Sequence, residues 1–330
     1  MIHRTPTAAL AALLFITPLA QAQMSHDKPD GFNQVNRPGS VDIESEYDTS
    51  GATIPLDEVH TLLPRDAIPA LTDPKLITIG EASYLSGDDR VMAVTVGGET
   101  VGVPIKILNF HEVANMTIGG EPVAATYCPL CDSATVISRR VETDGGEAEV
   151  LEFGVSGALY NSNVLMYDKA HKALWSQLAM NAVTGPYAGR ELEHLPVRIV
   201  TLDALRDEHP GAMVLSNDTG HTRPYDRNPY ESYFANDEHV MVDVASHGDT
   251  LPKKTLGLGI KAGGKSYFVP ERAITERFVI RTPEGEVVAV PSDAGVMVVR
   301  APDGVRTVQS FYYAFSAFHP ETEIVEKSAE

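Results

Sequence analysis

The stretch RVMAVTVGGETVGVPI, residues 90–105, holds two runs rich in Val and Thr around Gly97-Gly98. β-Branched residues suit a pleated surface, and a glycine pair supplies the turn between two strands. EVVAVPSDAGVMVVRAPDGV, residues 286–305, has the same character. Helical segments are few: IKILNFHEVAN around 105–115, TLDALRDEHP at 201–210 with Thr201 as its cap, and FYYAFSAFHP at 311–320. The last two stop at His-Pro, because the residue before proline is pushed out of helical geometry. The expected fold class is mainly β with a few short helices (α+β).

The shared His-Pro ending prompts a search for an internal repeat. GETVGVP (98–104) falls on GKSYFVP (264–270), GEPVAA (120–125) on GEVVAV (285–290), and DSATVISR (132–139) on DAGVMVVR (293–300). Two diverged, related β-rich units, residues 51–255 and 256–330, are therefore expected to pack as one compact body. The first carries TYCPLC (126–131) where the second has only Pro291-Ser292, and His111 falls opposite Glu276 or Arg277. A feature needed by a shared fold should occur in both copies. Cys128, Cys131 and His111 occur in one, which points to a function located in the first unit.

The chain opens with a short basic start (His3, Arg4), an apolar run from Ala8 to Ala20 and the small-x-small site Ala20-Gln21-Ala22. This reads as a signal peptide over residues 1–22, so the protein is expected to be periplasmic or secreted. Residues 23–50, polar and punctuated by Pro and Gly, read as an extended arm. No later stretch approaches the roughly 20 apolar residues of a membrane-spanning helix. With 45 acidic and 26 basic residues the net charge is −19, which disfavours nucleic acid and anionic lipid as partners.

In order, NFHEVAN, TYCPLCDSA, FGVSGALYNSNVLMYD, LWSQ, DEHPGAMVLS and NPYESYF resemble an uncharacterised family, domain of unknown function 3179. The resemblance covers roughly residues 60–325 and implies no particular activity. Two positions depart from the family pattern, which has Gly in place of Asp132 and an acidic residue in place of Met116. The first weakens a tight knuckle turn, because Asp tolerates left-handed backbone less readily than Gly.

An exported protein can keep a disulfide, but closing so short a loop restricts the unfolded chain little. Thr135-Val136-Ile137 after the second cysteine argues for a strand–turn–strand, unlike the helix N-terminus of a thioredoxin-type pair. Cys128, Cys131 and His111 could hold one transition-metal ion, copper or zinc, with Glu112 as ligand, supporting partner or general base. No nucleotide cofactor is expected. The same pair suits dithiol redox chemistry by an oxidoreductase on a small-molecule or thiol substrate, with Cys128, Cys131 and Glu112 as catalytic residues. Two alternatives stay open: a non-catalytic extracytoplasmic binding protein with a structural Cys128–Cys131 disulfide, and a hydrolase whose cysteine nucleophile is activated by His111 or His171.

Supporting residues are sought nearby. Period-two spacing puts Asn161 and Asn163 on one face with Leu159 and Leu165, and pairs Trp175 with Gln177. Tyr225 and Tyr230, with Tyr233 and Phe234, make RPYDRNPYESYF an aromatic loop able to line a cleft.

Overall fold

The computed structural model describes residues 42–143, 145–244, 248 and 250–329. The expected leader, residues 1–22, and the start of the expected arm, residues 23–41, lie outside them. Strand dominates the described residues, and the few helices are short. The first quoted stretch forms the hairpin Arg90–Val96 and Glu99–Pro104, with Val96 opposite Glu99 across the two glycines. Gly97 (φ 57°) and Gly98 (φ 83°) both occupy the left-handed region that such a turn needs.

Five sheets of three to five strands stand in a five-bladed, propeller-like arrangement, with a small extra hairpin at Arg140–Glu142 and Ala148–Val150. Two side-by-side β-rich units are therefore not what the chain builds. Strand Ser133–Ser138 packs on Arg306–Phe311, and Val197–Thr201 packs on Gly295–Arg300, so apolar faces are buried across the expected boundary. Two blades nonetheless share a connection order. In one, Val197–Thr201, Arg90–Val96, Glu99–Pro104 and Met213–Leu215 lie in sequence across the sheet; in the other, Arg306–Phe311, Leu256–Ala262, Lys265–Pro270 and Glu323–Ile324 do. In each, a helix (Leu202–Glu208 or Tyr312–Phe318) precedes the parallel closing strand, and His209 or His319 ends that helix before proline.

Three local expectations change. Residues 42–50 are not an extended arm: Ile43–Glu46 is a helical turn, and Ile43 and Tyr47 are buried, with the Tyr47 hydroxyl donating to Ser156 O. Only Ile105–Leu108 of the segment 105–115 is helical, because Glu112 turns left-handed (φ 57°) and strand Val113–Ile118 follows. ALYNSNVLMYD is a hairpin, Phe153–Tyr160 and Asn163–Asp168, with Tyr160 opposite Asn163. Its turn residues Asn161 (φ 49°) and Ser162 (φ 60°) break the period-two relation expected between Asn161 and Asn163.

Of the cysteine strands, Glu121–Cys128 pairs with Ser133–Ser138 on one side and with Val113–Ile118 on the other, in one sheet. Asn115 joins that sheet to the asparagine hairpin: its Nδ2 donates to Leu71 O (3.1 Å) and Phe153 O (2.8 Å), and its Oδ1 accepts from Phe153 N (2.9 Å). Asn115 is fully buried. Asn115→Ala is expected to cost about 2–4 kcal/mol, because it strips partners from buried backbone groups at Phe153 and Leu71. Urea unfolding checks this; a loss below about 1 kcal/mol would mean that water replaces the amide.

Candidate functional site

Cys-Pro-Leu-Cys is the turn between two paired strands, with Cys128 opposite Ser133. Cys131 N–H donates to Cys128 O at 3.1 Å, closing the turn. Asp132 does adopt left-handed backbone (φ 45°), and its carboxylate is held by Arg90 Nη1 (3.1 Å), Arg90 Nη2 (3.0 Å) and the Tyr127 hydroxyl (2.8 Å). These contacts offset the strain that glycine would avoid.

Both cysteines are free thiols, with sulfurs 3.6 Å apart and exposures of 1% for Cys128 and 0% for Cys131. Cys131 Sγ donates to Ser162 O (3.3 Å) and accepts from Asn163 Nδ2 (3.5 Å). Cys128 Sγ is approached by the backbone N–H groups of Val164 and Cys131. Burial pushes the Cys128 thiol well above its usual range, and the neighbouring Cys131 adds to that. Above the turn, the hydroxyls of Tyr233 (3.1 Å) and Tyr313 (2.9 Å) both reach Leu130 O, and they lie 3.1 Å from each other. Lys254 supports Tyr233 from behind: its ammonium lies 3.4 Å from the ring centroid and donates to Tyr233 O and to Asn236 O (2.7 Å). Burial lowers the Lys254 pKa to about 8.

Glu112 sits across from the end of the first cysteine strand, its backbone carbonyl oxygen accepting from Tyr127 N at 2.8 Å. It is 7% exposed, and burial first, then Cys128, raises its proton affinity well above the ordinary carboxyl range. Its side chain has no hydrogen-bond or ion-pair partner among the described residues. Tyr230, half-buried, feels both Glu112 and Cys128. Glu112, Asp132, Asn161 and Ser162 are four of the eight non-glycine residues with positive φ among those described, and all four border the cysteine turn. Left-handed backbone costs an ordinary side chain roughly 1–2 kcal/mol, and such strain gathers at functional sites.

His111 is not brought to the cysteines. Pro69 O lies 2.7 Å from Nδ1 and can only accept, so Nδ1 carries the proton and Nε2 accepts from the Tyr225 hydroxyl at 2.6 Å. Both ring nitrogens are used, and the expected trio of Cys128, Cys131 and His111 does not fit a metal. Among the described residues no group of three His, Cys, Asp or Glu side chains is placed to hold one. His171 is held by Asp168 (3.0 Å) and Glu149 (3.5 Å), so neither expected histidine activates a cysteine.

The other expected residues divide. Asn163 and Gln177 join the site: Asn163 Nδ2 donates to Gln177 Oε1 (2.9 Å), and Gln177 Nε2 donates to Ser133 O (3.0 Å). Asn161 Nδ2 donates to Ala317 O (3.3 Å) and fastens the turn to the Tyr312–Phe318 helix. Trp175 is core, packed edge-on against Phe153. Tyr225 braces His111 through its hydroxyl, while Tyr230 packs against the apolar cluster that includes both cysteines. Sequence reasoning missed Ser162, Lys254 and Tyr313; the last lies 182 residues from Cys131, and only the fold joins them.

His111 also sets a pH dependence. Burial, reinforced by His221 and Arg223, lowers its pKa to about 4 against the hydrogen bond to Pro69 that raises it. The folded state thus binds this proton less readily than the unfolded chain near 6.5, so the stabilisation is full above pH 6.5 and is lost as pH falls toward 4. At ~1.4 kcal/mol per pKa unit the span is about 3–4 kcal/mol. Burial of Glu112 acts oppositely, contributing stability below pH 4.5 that is lost as pH rises through its folded value. Burial lowers the pKa of His194 to about 3 and of His319 to about 4, in the same direction, so urea midpoints between pH 4 and 6.5 should rise with pH in the wild type and less steeply in His111→Gln; an unchanged slope would show that the other two histidines carry it.

Among the described residues no helix is long and apolar enough to cross a membrane. Comparison with curated proteins and with solved structures gives no match. Residues 65–305, most of the chain and all of the cysteine turn with Glu112, match the family described as Protein of unknown function (DUF3179), and the chain belongs to that family.

Proposed function

We propose that the protein is an exported dithiol redox protein whose centre is Cys128 and Cys131, with Glu112 as the proton-handling group. The observation that carries this reading is the pair of thiols 3.6 Å apart; the buried, unpartnered Glu112 is tied through its backbone carbonyl to Tyr127 N, next in the chain to Cys128. Oxidation joins the two sulfurs and releases two protons and two electrons; two equivalents of a small thiol return the pair to the reduced state and leave as one disulfide. The strained residues around the turn support a working site, since a plain staple needs none of them. Export rests on the pattern of residues 1–22.

The test is a thiol count on the full chain after signal removal, before and after oxidation and again after adding a monothiol. Two thiols that vanish together and return together are expected, with no change in mass beyond two hydrogens. Thiols that resist every oxidant in the folded protein, or oxidise only between chains, would refute the reading. Elemental analysis on the same sample tests whether metal accompanies the pair.

A further inference from the structure

Resting on the dithiol reading, we infer that the oxidant is a small uncharged hydroperoxide, reduced at Cys128 with Glu112 as its proton shuttle. The first observation is steric. Cys128 is 1% exposed, Cys131 0%, Ser162 0%, Tyr313 0%, Tyr233 6% and Leu130 7%. Thiol–disulfide exchange needs the attacking sulfur in line with the substrate's S–S bond, with room for the departing thiol. A protein disulfide cannot meet that condition here, and a peptide-sized one would have to lift the tyrosine-clamped turn. Hydrogen peroxide, with two heavy atoms, asks far less.

The second observation is chemical. Buried Cys128 is a thiol and not a preformed thiolate, so attack requires its proton to leave during the reaction. A neutral carboxyl can accept that proton on its carbonyl oxygen while its own O–H protonates the departing oxygen. The Glu112 side chain is unpartnered, and its backbone carbonyl oxygen accepts from Tyr127 N (2.8 Å), the residue that precedes Cys128. In the first step the Cys128 sulfur bonds to one peroxide oxygen, the O–O bond breaks, and the other oxygen leaves as water; sulfur is oxidised by two electrons and Glu112 ends with one proton, as it began. In the second step Cys131 sulfur attacks the Cys128 sulfenic acid, the S–OH bond breaks, and hydroxide leaves with the Cys131 proton as a second water. Two thiols and one peroxide give one disulfide and two waters. The uncharged substrate follows from the site: it offers no free charge to pair with a buried ion.

The test uses the full chain after signal removal and follows the loss of its two thiols with hydrogen peroxide and, separately, with glutathione disulfide. Each rate is divided by that of the same chain unfolded in urea, which supplies the intrinsic thiol reactivity. Folding is expected to speed the peroxide reaction at least tenfold and to slow the disulfide reaction at least tenfold. A folded-to-unfolded ratio for peroxide at or below that for glutathione disulfide overturns the inference and leaves the dithiol reading standing. Failure of both oxidants to give a reversible intramolecular disulfide in the folded protein sinks the dithiol reading itself. Glu112→Gln, which matches the shape of the neutral acid, should slow the folded peroxide reaction at least tenfold without lowering the urea midpoint and with the unfolded rate unchanged; an undiminished folded rate removes Glu112 from the mechanism.

Discussion

Cys131→Ser and Cys128→Ser each abolish intramolecular disulfide formation, and the two variants are expected to differ in what peroxide leaves behind. Cys131→Ser keeps both Cys128 and Glu112, so the first step is expected to proceed and to stop at the Cys128 sulfenic acid. A sulfenic-acid-specific probe should label this variant and add one tag per chain. In Cys128→Ser the remaining thiol donates to Ser162 O, accepts from Asn163 and is fully buried, so it should give no tag while the chain stays folded. Serine reproduces the donor that Ser162 O requires, which keeps the Cys131→Ser turn intact. Equal labelling of both variants would show that the sulfurs are interchangeable and that the Glu112 side has no special role. Labelling of Cys128→Ser alone would reverse the assignment of attacking and resolving cysteine.

Parts of this site were legible in the sequence for a local reason. Cys128 and Cys131 with the β-branched run Thr135-Val136-Ile137 state a strand–turn–strand, and the structure forms it. Thr201 and the two His-Pro stops likewise fix helix ends through short-range sterics. The misreadings share a different physics. His111 is adjacent to Glu112, yet left-handed backbone at Glu112 sends the two side chains to different neighbours. Asn161 and Ser162 form a two-residue turn without glycine, so the alternation of ALYNSNVLMYD looks unbroken until the backbone is seen. The two-unit picture failed where burial overrides chain order: the apolar strands of residues 133–138 and 197–201 pack on strands from beyond residue 256. No local pattern in FYYAFSAF marks Tyr313 as the residue that reaches the cysteine turn, because the contact is created by packing between blades.

The largest stability effect is expected at Trp175, the only tryptophan in the chain. It is fully buried, stands edge-on to Phe153 with ring centroids 5.6 Å apart, and donates from Nε1 to Asp168 Oδ2 at 2.8 Å. Asp168 is fully buried as well, and its other oxygen accepts from His171 N (2.6 Å) and Nδ1 (3.0 Å). Trp175→Ala therefore opens a large cavity and also leaves one carboxylate oxygen without its donor. The cavity alone costs about 3–5 kcal/mol, and the orphaned acceptor adds about 1–3 kcal/mol. For a chain this long each kcal/mol lowers the unfolding temperature by roughly 2–4 °C, so a drop of about 10 °C or more by circular dichroism is expected. Trp175→Phe separates the two contributions, since it refills most of the volume and restores no donor. A Phe variant as stable as wild type would show that water reaches Asp168 and that the indole N–H is dispensable. Trp175 shares its apolar cluster with both cysteines, so loosening it should also open the sulfurs. At temperatures where Trp175→Phe remains folded, glutathione disulfide is expected to react with it faster than with wild type, while the peroxide reaction gains nothing from the added room.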